Sequence, residues 1–320
     1  MEDVVKNKIL IVGGLGYLGA RLANYLLSKN FDVFISSSRK DATLPKQLDG
    51  SKLLYFDFSN SEQICQNIAD INHAIFLASP DFDASKKNPE KSIKFHTEYF
   101  YNFLRALSRT SINYFIYVST SHVYGSQTSL IDEKSLTFPK NTYSYSHKLS
   151  EEIILKYFHR EELNGAILRA SNIFGKPLFD SDSCWKLFVN DVSKQAVLNN
   201  KIFINSDPDI VRDFITIDSF ILAIHKLIST EMYSSSPIFN LGSGNSSSLY
   251  EMASLVKDRV KVCLGKDIEI ISKEPNRVNI SGNEYVYDSS KLETLLSLKL
   301  NHSKYSCIDE LIHHVNTAKK

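Results

Sequence analysis

Short apolar runs alternate along the first half of the chain with longer segments in which apolar and polar residues are mixed. Because the runs are rich in β-branched and aromatic residues, we predict that each forms a buried strand. The predicted strands lie at 8–13, 31–36, 53–58, 73–79, 114–119 and 165–171. The segment after the first run places Leu18, Leu22 and Leu26 on one helix face, and longer helices are predicted near 90–109 and 143–160. Strands that alternate with helices predict an α/β protein with a doubly wound parallel sheet.

The alternation becomes irregular beyond Asn172, where Pro, Asp and Ser-containing loops separate shorter elements. A chain of 320 residues is long enough for one large α/β domain with an additional lobe. We therefore predict a dinucleotide-binding domain over 1–172, with later returns to it such as 211–244. The remainder, 173–320, is predicted to form a smaller C-terminal substrate-binding lobe.

Composition excludes several classes of protein. With 43% hydrophobic residues, 23% charged residues and a net charge of +1, the chain is typical of a globular protein and has no basic footprint for nucleic acid. No apolar run approaches the ~18 residues of a membrane span, and the first residues lack the pattern of a signal peptide, so a cytoplasmic protein is expected. The four cysteines are far apart, and no metal site is expected.

A glycine-rich turn, GGLGYLG, lies between the first predicted strand and the first predicted helix. Gly13, Gly16 and Gly19 allow a tight turn, close approach of the backbone to a pyrophosphate, and close packing of the helix on the strand. The start of the helix favours the anionic group. At this position in a strand-helix array, the turn predicts a dinucleotide-binding site.

Further motifs follow the glycine turn in a fixed order. They are Asp57-Phe58, Leu77-Ala78, STSHVYG at 119–125, YSYSHKLSE at 143–151, LRASNIFG at 168–175, VRDFITIDS at 211–219 and FNLGSG at 239–244. Together with the GxxGxxG spacing, they resemble the extended short-chain dehydrogenase/reductase family, chiefly its nucleotide-sugar branch. The resemblance covers most of the chain, and it implies a Rossmann-type sheet with a C-terminal substrate lobe.

The resemblance also implies a set of cofactor-binding residues. These are Gly13, Gly16, Tyr17, Leu18, Gly19, Ser37, Ser38, Arg39, Asp57, Phe58, Leu77, Ala78, Tyr143 and His147. The choice between the two nicotinamide cofactors is made at the end of the second strand, where an acidic residue would bind the adenosine ribose. Because no carboxylate lies in the sequence from Ser36 to Arg39, and Arg39 could bind a 2′-phosphate, we predict NADP rather than NAD.

In the resembled family, a Ser or Thr and a Tyr hydrogen-bond the substrate oxygen, and a Lys four residues after the Tyr binds the nicotinamide ribose. Thr120 corresponds to the first of these residues. Two alignments compete for the Tyr and the Lys. If Lys148 is the family lysine, Ser144 replaces the tyrosine and the proton donor is lost.

We prefer the alignment in which Tyr143 is the proton donor and His147 stands in place of the lysine, because Glu151 then matches a glutamate common in the family. A lysine carries a permanent positive charge, whereas a histidine carries one only when protonated. The loss matters less for carbonyl reduction, because a neutral tyrosine is already the required donor. A neutral His147 could still donate to a ribose hydroxyl, and Lys148, about 100° further round the helix, is expected to point towards solvent.

Two further positions bear on the reaction. Dehydratases of the family carry an Asp-Glu pair after the catalytic Thr, but this chain has Ser121-His122, so 4,6-dehydration is not expected. His122 is interpreted either as an additional acid/base or, preferentially, as a histidine in a polar core niche. On the substrate side, the resemblance assigns Asn172 to the phosphate or sugar and Arg212 to the nucleotide diphosphate, with an ion pair between Arg212 and Asp213 as the alternative.

Three functions are therefore considered. The first is an NAD(P)-dependent reductase of a 4-keto nucleotide sugar, which would place the protein in polysaccharide biosynthesis. The second is a nucleotide-sugar 4-epimerase that retains its cofactor, and the third is a non-catalytic NADP-binding regulator. The resemblance also implies a homodimer through the helices near 90–109 and 143–160. Ile153, Ile154, Tyr157 and Phe158 form an apolar face that could serve either that interface or the core.

Overall fold

A computed structural model describes most of the chain, namely residues 7–125, 129–232, 234–272, 285–300 and 302–318. The chain forms two compact units. The first comprises Met1–Ser126, Leu136–Arg169 and Ile224–Phe239, and the second comprises Gln127–Ser135, Ala170–Ala223 and Asn240–Lys320. Of the predicted return to the first domain, 211–244, the part Ile224–Phe239 belongs to the first unit and the residues on either side of it belong to the second.

Fourteen strands lie in the described part of the chain. In chain order, β1 to β14 are Lys8–Val12, Asp32–Ser37, Lys52–Tyr55, His73–Phe76, Tyr114–Thr120, Leu130–Ile131, Gly165–Ala170, Asn172–Phe174, Lys201–Ile204, Val211–Thr216, Ile238–Leu241, Ser246–Ser248, Glu269–Ser272 and Val286–Tyr287. Seven of them form the main sheet in the order β11-β7-β5-β4-β1-β2-β3. Adjacent strands pair in parallel, as in the register Ile9 with Val33 and Ile9 with His73. The predicted doubly wound parallel sheet is confirmed.

Eleven α-helices accompany these strands in the described residues. In chain order, α1 to α11 are Tyr17–Ser28, Ser61–Asn67, Phe82–Lys87, Pro89–Lys94, Phe100–Leu107, Thr142–His159, Phe188–Asn199, Ile217–Thr230, Leu249–Leu264, Ser290–Leu296 and Lys304–Ala318. A π-helical turn, Phe95–Tyr99, joins α4 to α5. The helix predicted near 90–109 is therefore continuous but contains an irregular turn. Such π-helical turns are often found at functional sites.

The core of the first unit explains why its strands are apolar without alternation. Every residue of β4 is buried, and so are Ile9 to Val12 of β1, because helices cover both faces of a parallel sheet. Aromatic rings fill one face. The ring of Phe76 lies 4.8 Å from that of Phe100 and 5.1 Å from that of Phe103, measured between centroids.

The start of α6 is fixed by a local hydrogen-bond pattern. The side chain of Asn141 accepts a hydrogen bond from the backbone N–H of Ser144, and the Ser144 side chain bonds back to the Asn141 backbone, which forms a capping box. This cap sets the first turn of the helix and hence the position of Tyr143. Further along, Ile154 and Tyr157 are buried in the core of the same unit, so this part of the predicted dimer face serves the core.

The second unit has its own sheets and its own core. Strands β12, β10 and β8 form one sheet, β13 pairs with β9, and β14 pairs with β6. Apolar residues of α7, α9 and α11 pack together, among them Val192, Val256 and Ile312, which are fully buried. The second unit thus has a hydrophobic core of its own.

Candidate active site

Two glycines of the turn, Gly13 and Gly19, are packed too closely against the backbone to be replaced by residues with a side chain. Gly13 has a φ of +91°, and a Cβ there would lie 2.8 Å from the backbone nitrogen of Ala78. A Cβ at Gly19 would overlap the carbonyl oxygen of Gly13. Gly16 begins α1 without a capping side chain, so the first turn of the helix presents backbone N–H groups alone. The turn, the end of β4 and the start of α1 therefore form one backbone-lined corner.

One glycine of this turn was missed by the sequence prediction. A Cβ at Gly14 would lie 2.8 Å from two side-chain carbons of Ile35 in β2. Gly14 therefore lets the turn pack on the second strand. The family motif is defined by the spacing of the other three glycines. The packing role of Gly14 therefore could not be predicted from the motif.

The other predicted cofactor residues of the first unit surround the same edge of the sheet. Tyr17 is buried and Leu18 half-buried in the first turn of α1, and Leu77 donates its N–H to the carbonyl of Val12 at 2.8 Å. After β2, the backbone N–H of the exposed Arg39 donates to the hydroxyl of Ser37 at 3.1 Å, and Ser38 is also exposed.

At the end of β3, Asp57 and Phe58 have different environments. The carboxylate of Asp57 accepts hydrogen bonds from the hydroxyl and the N–H of Ser59, at 2.6 Å and 2.9 Å, and these bonds hold its pKa below the usual value. The ring of Phe58 packs in the aromatic core, 5.7 Å from Phe95 between centroids. Asp57 is therefore the polar group at this strand end.

Thr120 and Tyr143 meet at the end of β5. The hydroxyl of Thr120 accepts a hydrogen bond from the backbone N–H of His122 at 3.2 Å. Tyr143, in the first turn of α6, is half-buried, and burial raises the pKa of its phenol, although a hydrogen bond with Thr120 lowers it. Asp81 raises it further. Tyr143 is thus a neutral phenol at physiological pH.

His147 lies one turn further along α6, with its ring 4.7 Å from that of Tyr143 between centroids. Its Nδ1 lies 2.8 Å from the hydroxyl of Tyr117, and its Nε2 lies 3.2 Å from the hydroxyl of Ser79. Burial, together with the electrostatic effects of His96 and His122, lowers the pKa of His147 well below 6.5. The ring is therefore uncharged, and both of its nitrogens contact protein hydroxyls.

The hydroxyl of Ser79 links His147 to the backbone that follows β4. It donates to the carbonyl of Pro80 at 2.9 Å and lies within hydrogen-bond distance of Nε2 of His147. Burial raises the pKa of Tyr117, so the phenol that contacts Nδ1 retains its proton. A neutral imidazole donates through one nitrogen and accepts through the other, so both kinds of contact are met inside the protein.

A second buried histidine, His96, shares these contacts and was missed by the sequence prediction. It lies in the π-helical turn, with Nε2 3.0 Å from the hydroxyl of Ser79 and Nδ1 3.0 Å from that of Ser150. Its ring lies 4.6 Å from that of His147, and burial lowers its pKa to about 4. The two uncharged imidazoles, Ser79 and Tyr117 form what we call the histidine cluster.

Lys148 does not extend into solvent, contrary to expectation. Its ammonium lies 2.7 Å from the carboxylate of Glu152 and 3.5 Å from that of Glu151, and its side chain is 21% exposed. These contacts lie towards the next turn of α6, away from Tyr143. The structure thus gives Lys148 a place in an ion-pair group and leaves His147 as the ring next to the phenol.

Glu151 anchors α6 to the sheet. Its fully buried carboxylate accepts two hydrogen bonds from Arg169 of β7, at 3.0 Å and 2.7 Å, and one from the hydroxyl of Ser119 at 2.7 Å. Arg169 also donates to the hydroxyl of Tyr124 at 2.9 Å. A buried, fully bonded pair of this kind fixes the rotation of the helix that carries Tyr143.

Two exposed rings flank Tyr143. Phe82, at the start of α3, is 49% exposed and lies 6.3 Å from the Tyr143 ring between centroids. The ring of His122 lies 6.2 Å from it, at 76°. His122 is exposed, so the preferred interpretation of a histidine in a polar core niche is wrong.

The predicted substrate residues Asn172 and Arg212 belong to the second unit. The side-chain amide of Asn172 donates to the backbone carbonyl of Asp213 at 2.8 Å, and Arg212 donates to the carbonyl of the preceding residue at 3.1 Å. The Asp213 carboxylate accepts from Ser171 at 2.5 Å and from the N–H and hydroxyl of Ser243 at 2.9 Å and 2.8 Å. In the described chain these serines, and not Arg212, bond the carboxylate.

Two kinds of site are not found among the residues described. No group of three or more His, Cys, Asp or Glu side chains there could hold a metal ion. Likewise, none of the helices described is long and apolar enough to cross a membrane.

Residues 9–242 match the model of the NAD dependent epimerase/dehydratase family. The matched region includes the glycine turn, the Thr120 and Tyr143 pair and most of the main sheet. The chain therefore belongs to this family, and the resemblance to the nucleotide-sugar branch of the extended short-chain dehydrogenases/reductases is confirmed.

Its relatives catalyse more than one reaction. The chain is 26% identical over 293 residues to dTDP-4-dehydro-6-deoxyglucose reductase of Escherichia coli, with 88% of this chain and 89% of the relative covered. It is 23% identical over 331 residues to UDP-glucose 4-epimerase of Lactobacillus helveticus, covering 95% and 94%. Among solved structures, UDP-glucuronic acid 4-epimerase from Bacillus cereus in complex with NAD superposes with a TM-score of 0.80 at 20% identity, covering 97% and 96%, and shares the fold.

Proposed function

We propose that the protein is an NAD(P)-dependent reductase of a 4-keto nucleotide sugar, with Tyr143 as the proton donor. The observation that carries the proposal is the state of Tyr143, a neutral phenol bonded to Thr120 and adjacent to an uncharged histidine. A neutral phenol can give a proton to a carbonyl oxygen. It cannot accept one from an alcohol until it is ionised, and no positive charge on His147 favours that ionisation.

The first unit fits a dinucleotide. Side chains are excluded from the corner between Gly13, Gly19 and Ala78, so the backbone N–H groups at the start of α1 can contact a pyrophosphate. When bound, the nicotinamide cofactor supplies the hydride. Asp57, Leu77 and Ala78, at the ends of β3 and β4, would contact the adenosine side and the adjacent part of the cofactor.

The chain's own residues provide orientation and the proton. Thr120 and Tyr143 would both hydrogen-bond the keto oxygen, which orients the carbonyl carbon and polarises it. As the carbon accepts hydride, the phenol of Tyr143 gives its proton to the oxygen, which yields the alcohol. General-acid catalysis by a positioned side chain contributes typically ~10²–10⁴-fold to such a step. We assign Asn172 and Arg212 to the nucleotide-sugar phosphates, for which the planar guanidinium of Arg212 is suited.

The 4-epimerase is the second candidate, favoured by the identity to the Lactobacillus enzyme over nearly the whole chain. It would require Tyr143 to accept a proton in the oxidative half of each cycle, which the raised pKa of Tyr143 opposes. The third candidate, a regulator that binds NADP without turnover, rests on the replacement of the family lysine by His147.

One experiment separates the three. The protein is mixed with NADPH or NADH and a panel of 4-keto-6-deoxy sugars linked to dTDP, UDP, GDP and CDP, beginning with dTDP-4-dehydro-6-deoxyglucose, and absorbance at the reduced-cofactor band is followed. A stoichiometric loss of reduced cofactor supports the reductase. Conversion of UDP-glucose to its 4-epimer with no net cofactor change supports the epimerase, and cofactor binding with no turnover supports the regulator.

The cofactor preference depends on Arg39. We propose NADP, because the loop after β2 offers this guanidinium and serine hydroxyls but no carboxylate. Replacing Arg39 with Ala is expected to weaken NADPH binding about 10- to 100-fold, the effect of losing a charge-assisted hydrogen bond, and to leave NADH binding unchanged. Fluorescence titration with both cofactors measures the two affinities, and Lys40→Ala serves as the neighbouring control. Equal losses for NADPH and NADH would show that Arg39 does not read the 2′-phosphate.

His147 determines the balance between the two directions. The His147→Lys variant is expected to oxidise the 4-hydroxy sugar faster than the wild type at neutral pH, since a permanent charge near Tyr143 favours the phenolate. His147→Ala is expected to turn over more slowly, because it removes the ring that packs beside Tyr143. Rates of NADP reduction and NADPH oxidation are compared at pH 7 for the three proteins. If both variants matched the wild type in both directions, His147 would have no part in the mechanism.

A homodimer remains our proposal for the assembly. The helices concerned are α5 and α6, where Tyr101 and Tyr145 are 44% and 49% exposed. Their exposed rings lie outside the core cluster that already contains Ile154 and Tyr157. Sedimentation of the intact protein measures the mass of the assembly.

A further inference from the structure

The exposed ring of His122 stands beside a tyrosine that must regain a proton after every turnover. We propose that His122 is a further catalytic residue, which returns that proton to Tyr143. The inference rests on the proposed reductase function. In the balanced cycle, the phenol gives its proton to the substrate oxygen and becomes a phenolate. The protonated imidazole of His122 then gives a proton to the phenolate, directly or through one water, and the neutral imidazole takes a proton from solvent.

The buried side of Tyr143 offers no such route. Nε2 of His147 lies within hydrogen-bond distance of the Ser79 hydroxyl and Nδ1 within that of Tyr117, and the Ser79 hydroxyl donates to the carbonyl of Pro80. His96 is joined to the same serine. The ring nitrogens of the histidine cluster thus all contact groups of the protein, and neither imidazole carries a charge that could be passed on to the phenolate.

On the exposed side of Tyr143, His122 is placed where a side chain could carry protons between solvent and the phenolate. The backbone N–H of His122 bonds the Thr120 hydroxyl that also bonds Tyr143, so the three residues are held at one strand end. The His122 ring presents its edge at 76° to the Tyr143 ring, with 6.2 Å between centroids. Because His122 is exposed, its imidazole exchanges protons with solvent, and a histidine is the side chain suited to do so near neutral pH.

Three titratable groups surround the proposed path. Tyr143 and His147 belong to α6, and Asp81 caps the start of α3 and acts electrostatically on Tyr143. His147 stays uncharged and cannot compete for the proton. The negative charge of Asp81 opposes the phenolate and so favours its rapid reprotonation.

The test separates the first turnover from those that follow. The protein is mixed rapidly with excess reduced cofactor and one keto sugar, namely the member of the panel that the wild type reduces fastest. The absorbance trace gives the rate of the first turnover and the steady-state rate. For His122→Gln we expect a first turnover at the wild-type rate, because Tyr143 already holds its proton, followed by a steady-state kcat lowered about 10- to 100-fold. Added imidazole is expected to restore much of the kcat of His122→Ala. The matched control is His159→Gln, because His159 is an exposed histidine at the C-terminal end of α6.

The outcomes are distinct. A first turnover slowed as much as the later ones would show that His122 only supports the structure of the site, and an unchanged kcat would show that the proton returns without it. Either result overturns the proton route while the reductase function stands. A wild-type protein that oxidises no reduced cofactor with any member of the panel overturns the reductase function and the proton route together.

Discussion

The Tyr143→Phe variant is expected to reduce the 4-keto sugar about 10²- to 10⁴-fold more slowly than the wild type, because the phenol is the group that gives the carbonyl oxygen its proton. The ring contacts with Phe82 and His147 survive this change, since only the hydroxyl is removed. Cofactor affinity should therefore be nearly unchanged. Steady-state kinetics with reduced cofactor, together with fluorescence titration, measure both quantities.

Tyr145→Phe provides the matched control, because Tyr145 lies in the same turn of α6 but is 49% exposed. It is expected to retain wild-type kcat. A Tyr143→Phe variant that kept more than about a tenth of the wild-type rate would contradict the assignment of the phenol as general acid, since a donor of this kind is worth at least ~10²-fold.

Folding stability is expected to fall steeply as the pH is lowered from 6.5 towards 4. His96 has a pKa of about 4 in the folded protein and 6.5 in the unfolded chain, so between these values the unfolded chain binds a proton that the folded protein excludes. The contribution of His96 is complete above pH 6.5 and is lost as the pH falls, by about 3 kcal/mol at pH 4. The pKa of His147 is lowered in the same direction and adds to the effect.

Urea unfolding of the cofactor-free protein at a series of pH values measures this dependence. His96→Asn is expected to have a shallower slope of unfolding free energy against pH over this range, whatever its stability at neutral pH. His159→Asn, which replaces an exposed histidine, should retain the wild-type slope. Equal slopes for the wild type and His96→Asn would show that His96 is protonated in the folded protein at these pH values.

Much of the fold could be predicted from the sequence, because the patterns that indicate its strands and its glycine turn each lie within a short segment of the chain. Each strand of the main sheet is a short apolar run, and the glycine turn lies at a fixed place between the first strand and helix. Thr120 and Tyr143 could be chosen because each occupies a definite position in a motif. The extent of the return to the first domain is harder to predict, since β10 and β11 give similar apolar signals although Val211–Thr216 and Ile238–Leu241 are joined to different sheets.

The histidine cluster could not be predicted, because its members are brought together only by tertiary packing. Ser79 and His147 are 68 residues apart in the chain, and Tyr117 and His147 are 30 apart. A regular helix was predicted over the segment of His96, whereas the π-helical turn changes the direction in which that side chain points. The uncharged state of His147 follows from this surrounding, not from the residue type.

The bond between Glu151 and Arg169 lies about 12 Å along α6 from Tyr143, at 1.5 Å per residue. Rotation of α6 about its own axis would break this ion pair and leave a buried charge without a partner. The phenol is thereby left with little freedom beyond its own side-chain torsions. The sugar must therefore adjust its own position to align its carbonyl with the phenol. Substrates of different shape must be accommodated by elements other than this helix.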